Sequence, residues 1–355
     1  MNKKIIIMTL MIVFIGLISV YSSSHIWALY KFNDAYYYIK RQGIFCIIGL
    51  VIMKIVSCID YHQYKKYAKI LLYISLFLMI LVLIPGIGMV RGGSRSWFNF
   101  GLFAFQPSEL LKIALIIYSA DFIENHYYKM KHLLSVIPLF MIILISFLLI
   151  MLQPDFGSGV VMVCGVIVMI IVSPFLFKYF IGLGCLGLTG IIVMILSAPY
   201  RMKRILSFLD PFKDPLGTGF QAIQALYAIG PGGLLGVGFD KSIQKHFYLP
   251  EPQTDFIFAI IAEESGFIGC LCVILLYFLL FKYVFILSTQ CKDLFGSLLC
   301  IGIISMIGIQ TLINLGVVVG LLPITGVTLP LISYGGTSLV VTLASIGIIL
   351  NIAKN

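Results

Sequence analysis

The stretch Tyr248-Leu-Pro-Glu-Pro-Gln-Thr-Asp-Phe-Ile-Phe-Ala-Ile-Ile-Ala-Glu-Glu-Ser-Gly266 changes character halfway along, and that change decides the fold. Its first half is polar and stiffened by Pro250 and Pro252, and its second half opens a long apolar run. Proline is tolerated in a first helical turn, so a membrane helix is expected from about Pro252, with Asp255 in its first turn and Glu263 and Glu264 two turns further in. Acids favour helix N-termini, so capping alone accounts for Asp255. It does not account for two further carboxylates at membrane depth, where each is costly in lipid. The three acids together point to a functional site.

Outward from this stretch the same apolar character repeats. Mean hydropathy is +1.09, 61% of residues are hydrophobic and only 11% are charged, so nearly the whole chain divides into runs long enough to cross a bilayer. The runs do not alternate as barrel strands would, and lipid-facing backbone must satisfy its own hydrogen bonds. The expected fold class is therefore all-α, a single polytopic membrane domain of about ten transmembrane helices.

The net charge of +10 does not imply nucleic acid, because no basic run is interleaved with aromatics on a soluble face. The eight cysteines lie in or beside apolar runs, and Cys270-x-Cys272 lacks metal-ligand spacing, so neither a disulfide framework nor a metal centre is expected.

Lys3 and Lys4 precede a first span to about Val20, without a convincing cleavage site before Tyr21, so the span is expected to stay uncleaved with its N-terminus inside. Short basic loops at Asp60–Lys69, Lys129–Lys131 and Lys292 read as cytoplasmic, and Pro85–Gln106 as external. The longest polar segment, Tyr200–Thr254, joins spans seven and eight on the outside. Long loops contribute little to orientation, and with this one set aside basic residues favour the inner side by about two to one. Ten spans put both termini in the cytoplasm. The basic outer loop suits an anionic substrate at the outer leaflet or lipid headgroups, with Tyr200–Leu209 as an interfacial amphipathic helix.

A second charged cluster stands in Gln106-Pro-Ser-Glu-Leu-Leu-Lys112. Glu109 and Lys112 are three apart and share a helix face. A lysine at that depth needs a partner; Glu109 is the local one and Asp255 the distant one. Asp155, after Gln153-Pro154, reads as a cap or turn residue. The connection Asn314–Ser338 carries too many glycines and prolines for a simple span, and broken segments occur at membrane depth where backbone lines a cavity or is buried in protein.

These pieces resemble one family. Gly93-Ser-Arg-Ser-Trp97 with Gln106-Pro-Ser-Glu109, Gln153-Pro-Asp155, Tyr248–Phe258 and Asn314–Ser338 are similar to the motifs of the SEDS proteins (shape, elongation, division and sporulation), essentially over the full length. Ala198-Pro-Tyr-Arg201, Tyr227–Gly233 and Pro250–Asp255 look most like the sporulation branch, and Ser265 stands where the family usually has Leu.

The resemblance implies a peptidoglycan glycosyltransferase that polymerises lipid II, and a class B penicillin-binding protein as partner. It places the catalytic aspartate on Asp255, its paired lysine on Lys112 and a further functional acid on Glu109. Such chemistry needs a base for the acceptor sugar's 4-hydroxyl and positive charge near the departing pyrophosphate. Arg201, Lys203, Arg204 and Lys245 are candidates for that charge. Arg95 and Trp97 in the outer loop, Ser333 in the broken connection and Glu263 are further candidate substrate contacts. A divalent cation, magnesium or manganese, could assist, but no motif specifies its ligands. A lipid II flippase and a non-catalytic scaffold for the penicillin-binding protein are the other readings the fold allows.

Overall fold

The computed structural model describes residues 2–354 apart from 102, 177, 180, 183, 185, 186, 188, 191–195, 197 and 198, and apart from the side chains of 199–201, 204 and 205. The seventh expected span, about Tyr179–Ala198, falls largely on residues outside this set. The other nine coincide with α1 (Asn2–Phe32), α2 (Tyr37–Val56), α3 (His62–Leu81), α4 (Pro107–Asn125), α5 (Leu133–Leu152), α6 (Phe156–Val172), α9 (Ile257–Gln290), α10 (Leu294–Val318) and α11 (Gly336–Ile352). The long polar segment holds α7 (Pro199–Leu209), where the amphipathic helix was expected, and α8 (Phe220–Gly232). The fold is that of a polytopic helical membrane protein. Large apolar side chains such as Phe14, Ile47, Tyr73 and Phe278 face outward, as lipid contact requires.

Several boundaries differ from the sequence reading for local reasons. The helix α1 runs through Ser22–Ser24 to Phe32, not to Val20, because Ser23 and Ser24 return their hydroxyls to the carbonyl of Val20 and so stay compatible with a helix. The helix α3 starts at His62, inside the basic segment read as loop. The outer segment after α3 is not irregular. It forms a three-stranded antiparallel sheet of β1 (Gly88–Arg91), β2 (Ser94–Asn99) and β3 (Ala104–Phe105), a small addition to an otherwise helical chain.

The interior is organised around α4 and α10. From Pro107 to Ile123 every residue of α4 except Leu110 is buried. The helices α3, α5, α6, α10 and α11 pack around it, so a charged residue on α4 cannot reach lipid. The helix α10 lies against α4, α6 and α9, while α1 packs on α9 and α2 on α11.

The helix α9 is broken at Gly266, whose φ of 62° and ψ of −162° no other residue adopts readily. A Cβ there would lie 2.3 Å from the Gly236 nitrogen. The backbone groups that the break frees are taken up by the segment after α8. Val237 and Gly238 donate to the carbonyls of Glu263 and Glu264 at 2.9 and 3.1 Å, and Phe267 and Ile268 donate to Gly233 and Leu234 at 2.9 and 3.1 Å. Membrane depth tolerates a helix break on this condition.

Candidate active site

The expected helix start near Pro252 is corrected by five residues: α9 begins at Ile257, with Phe256 at the cap position, and residues 252–256 are in turns. Asp255 therefore stands one residue outside the cap. Its backbone and that of its two predecessors hang from the broken connection 319–335 and from the last turns of α10. Tyr334 N donates to Gln253 O at 2.8 Å, Ser333 Oγ to Thr254 O at 2.5 Å, and Asn314 Nδ2 to Asp255 O at 2.7 Å. Three consecutive carbonyls are thus fixed by three different donors. The Asp255 carboxylate accepts from Thr254 Oγ1 at 2.7 Å.

The broken connection is itself held by polar side chains, as burial of irregular backbone demands. Gln42 bonds Ser333 O at 3.1 Å and Gly335 N at 3.2 Å, Asn314 bonds Val327 O at 2.8 Å, and Gln310 bonds Thr328 O at 3.1 Å. Tyr277 donates its hydroxyl to Pro330 O.

On α4, Lys112 and Glu109 form the local pair that their spacing allows, with Nζ 2.8 Å from Glu109 Oε1 and both side chains over nine-tenths buried. Lys112 Nζ also donates to Gln310 Oε1 at 3.1 Å, so the ammonium has two acceptors, one from its own helix and one from α10. Asp155 caps α6 through Ser158 N at 3.1 Å and accepts from Gln106 Nε2 at 3.0 Å. Burial pushes the Asp155 carboxyl up, against the Ser158 hydrogen bonds and the nearby positive charge of Lys112, which hold it down.

Asp255, Glu109, Lys112, Asp155 and Gln310 all line one cavity of about 470 Å³. Trp97 lies in its wall, and Arg41, Arg91 and Glu251 are its other charged lining residues. The cavity sits where α4, α6, α9 and α11 all begin, so polar groups gather at one end of the bundle. Among the described residues no group of three or more His, Cys, Asp or Glu side chains stands together to hold a metal ion.

Other expected contacts lie elsewhere. Ser333 does not line the cavity; it supports the Asp255 loop from behind, accepting from Leu329 N at 2.8 Å while bonding Thr254 O. Arg95 belongs to β2 but is not in the cavity wall, whereas Arg91, which the sequence reading passed over, is. Glu263 is fully buried and committed to the turn at 242–244, accepting from Ser242 Oγ at 2.5 Å and Ile243 N at 2.7 Å. Lys245 is buried in a cluster of its own, 2.9 Å from Glu264 Oε1, 3.2 Å from Ser22 Oγ and 2.5 Å from Asp240 Oδ1. Glu264 in turn accepts from Ser22 at 2.6 Å. The two membrane carboxylates thus serve the fold of the outer segment. Lys203 is exposed on α7, and the side chains of Arg201 and Arg204 lie outside the described residues.

Sequence reasoning missed Arg41, Arg91 and Gln310. A signal existed for the last: Gln310 and Asn314 are four apart in an otherwise apolar run, hence on one helix face.

Similarity to known proteins extends over the whole chain. A family model described as "Cell cycle protein", that of FtsW, RodA and SpoVE, matches residues 2–355. Stage V sporulation protein E of Bacillus subtilis (strain 168) is 50% identical over 354 residues, covering 99% of this chain and 96% of its own length. A probable peptidoglycan glycosyltransferase FtsW of Geobacter sp. (strain M18) is 39% identical over 350 residues, with 98% and 95% covered. Among solved structures, a chain of a peptidoglycan synthase complex that coordinates polymerization and crosslinking aligns with a TM-score of 0.83 at 33% identity, over 99% of this chain and 96% of that one. The rod shape determining protein RodA of Thermus thermophilus aligns with a TM-score of 0.74 at 28% identity, over 99% and 95%.

Proposed function

Because this chain belongs to the FtsW, RodA and SpoVE family of cell cycle proteins, we propose that it is a peptidoglycan glycosyltransferase, polymerising lipid II at the outer face of the cytoplasmic membrane. The observation that carries the reading is the convergence of Asp255, Glu109 and Lys112 on one cavity at one end of the bundle. Polar groups gathered at a membrane face, not at its midplane, favour chemistry there over a translocation path.

Asp255 serves as general base. It takes the proton of the acceptor sugar's 4-hydroxyl as that oxygen bonds to the anomeric carbon of the donor, and the bond from that carbon to the pyrophosphate breaks. The backbone bonds from Tyr334, Ser333 and Asn314 fix where the carboxylate stands. Positioning of this kind lowers the reorganisation that the transition state requires. Lys112, tied between Glu109 and Gln310, supplies fixed positive charge from a buried point of the cavity wall, where its field on developing negative charge is screened less than at the surface.

The synthase complex among the structural neighbours couples polymerization to crosslinking, which supports a class B penicillin-binding protein as partner. The B. subtilis relative is a sporulation protein, which supports a role in spore wall synthesis. The topology that goes with this reading has both termini in the cytoplasm and the segment 200–254 outside.

The deciding experiment is Asp255→Asn in purified protein supplied with lipid II and the partner. The amide keeps the size but cannot take the proton, and a positioned general base contributes about 10²–10⁴-fold. Polymer yield within threefold of wild type at equal protein would remove Asp255 from the mechanism.

A further inference from the structure

The cationic side chains lining the cavity are Arg41, Arg91 and Lys112. Lys112 contributes its field, but its ammonium already donates to Glu109 and Gln310. The basic residues of the long outer segment do not replace it: Lys245 is enclosed by Glu264, Asp240 and Ser22, and Lys203 is exposed on α7. Arg41 and Arg91 differ from all of these. Neither takes part in a carboxylate ion pair among the described residues.

They come from separate elements, Arg41 from the first turns of α2 and Arg91 from the end of β1, and both open on the same cavity as Asp255. Each guanidinium is seated on an aromatic face, Arg41 at 4.6 Å from the Tyr37 ring centroid and Arg91 at 5.7 Å from that of Trp97. Both also lie within electrostatic reach of the Tyr334 phenol in the same wall. The exposure of these cations is graded: Arg91 exposed, Arg41 half-buried, Lys112 buried.

We propose that Arg41 and Arg91 form the pyrophosphate-binding clamp of this cavity, with Tyr334 beside them. The inference rests on the glycosyltransferase reading for its ligand, a lipid-linked pyrophosphate, and assigns it a place that the sequence had given to Arg201, Lys203, Arg204 and Lys245. A guanidinium presents a planar fork that matches phosphate oxygens bidentately. Two forks held on aromatic faces are already ordered before the ligand arrives, which cuts the entropy lost on binding. The clamp also accounts for the position of Trp97 in the cavity wall: its ring carries Arg91. Among the described lining residues the one exposed carboxylate is Glu251. When the glycosidic bond to phosphate breaks, the charge left on the pyrophosphate falls between two permanent cations, and the proton released by the acceptor goes to Asp255 in the same cavity.

The test measures binding of undecaprenyl pyrophosphate, without any sugar acceptor, to full-length protein in phosphatidylcholine nanodiscs. Arg41→Gln and Arg91→Gln are each expected to weaken it about tenfold or more, the loss of one charged hydrogen-bonding partner, and undecaprenol should bind equally to all variants. Inorganic pyrophosphate should compete, and phosphatidylglycerol added to the nanodiscs should not; equal competition by phosphatidylglycerol would make this a headgroup site and overturn the proposal. Arg41→Lys and Arg91→Lys keep the charge without the fork, and an affinity between wild type and the Gln variants is expected; these variants decide the matter if a Gln variant melts early. Wild-type affinity in a well-folded double Gln variant refutes the clamp. The two readings fail separately: wild type that binds the pyrophosphate through these arginines but makes no polymer sinks the glycosyltransferase reading alone. A polymerising wild type whose double variant binds unchanged sinks the clamp alone.

Discussion

Replacing Lys112 by Met separates what the ion pair does for the fold from what it does for the reaction. Lys112 and Glu109 are both over nine-tenths buried, and their contact of 2.8 Å is the only ion pair Glu109 makes among the described residues. Lys112→Met fills most of the volume but leaves the Glu109 carboxylate without its cation in the most enclosed helix among the described residues. Breaking a buried pair from one side costs about 3–5 kcal/mol. The Gln310 oxygen also loses its donor, which adds about 1–3 kcal/mol if nothing replaces it. Replacing both charges, Lys112→Met with Glu109→Gln, removes the orphaned carboxylate and should recover most of the first loss, because uncharged pairs of similar volume are often neutral or better. Thermal unfolding in nanodiscs reads the stability of wild type, single and double variants, and polymer formation from lipid II reads activity on the same preparations. The expected pattern is a clearly lowered melting temperature for the single variant, recovery in the double, and no polymer from either. Recovered polymer in the double variant would show that the charge on Lys112 acts only through folding. A single variant as stable as wild type would show that the pair is not buried as described.

The other expectations are briefer. Gly266→Ala forces a Cβ to within 2.3 Å of the Gly236 nitrogen at a backbone conformation worth about 1–3 kcal/mol of strain, so the protein should express poorly or melt early, whereas Gly308→Ala, whose Cβ would meet only the Phe281 ring at 3.7 Å, should show a smaller effect by the same measurement. Lys245→Met should cost about 3–5 kcal/mol by isolating buried Glu264, while Asp240→Asn should cost under about 1 kcal/mol because Asp240 is 43% exposed; equal melting temperatures for the two would count against the buried cluster. Reporters fused in the Lys65–Lys69 loop should read as cytoplasmic and one near Lys213 as external; an inside signal at Lys213 would invert the topology and move the cavity to the wrong face.

What the sequence made legible follows from how strongly each signal departs from its surroundings. Glu109, Lys112 and Asp255 are charges in apolar runs, and such residues must have partners or a task. The nine helices that match expected spans were legible because burial in lipid forces long apolar runs. Gln310, Arg41 and Arg91 were not found because nothing local marks them: Gln310 is uncharged, and outer-end arginines read equally well as topology signals. The ends of α1 and α3 were misplaced because hydropathy marks where a helix leaves the bilayer, not where it stops being a helix. Glu263 and Lys245 were assigned to substrate since their true partners, Ser242 and Glu264, meet them only through the fold of a long outer segment.

That outer segment explains how a residue in a turn can be held as firmly as one in a helix. Asp255 follows a segment anchored twice. Behind it, Lys245 is fixed by Glu264 on α9 and Ser22 on α1, and Glu263 secures the turn at 242–244. Alongside it, the carbonyls of 253, 254 and 255 accept bonds from Tyr334, Ser333 and Asn314. The break at Gly266 connects the two, because it lets the segment after α8 bond directly to the backbone of α9 below Glu263 and Glu264. Lys245, Glu263, Ser333 and Asn314 therefore all tie down the strand of chain that carries Asp255. Loops are ordinarily the mobile part of a fold, and a base on a loop would lose alignment with its substrate. Here the carboxylates at membrane depth, costly in isolation, are offset by the cations and backbone donors they hold in place, and the result is a carboxylate presented at the membrane face from a rigid support.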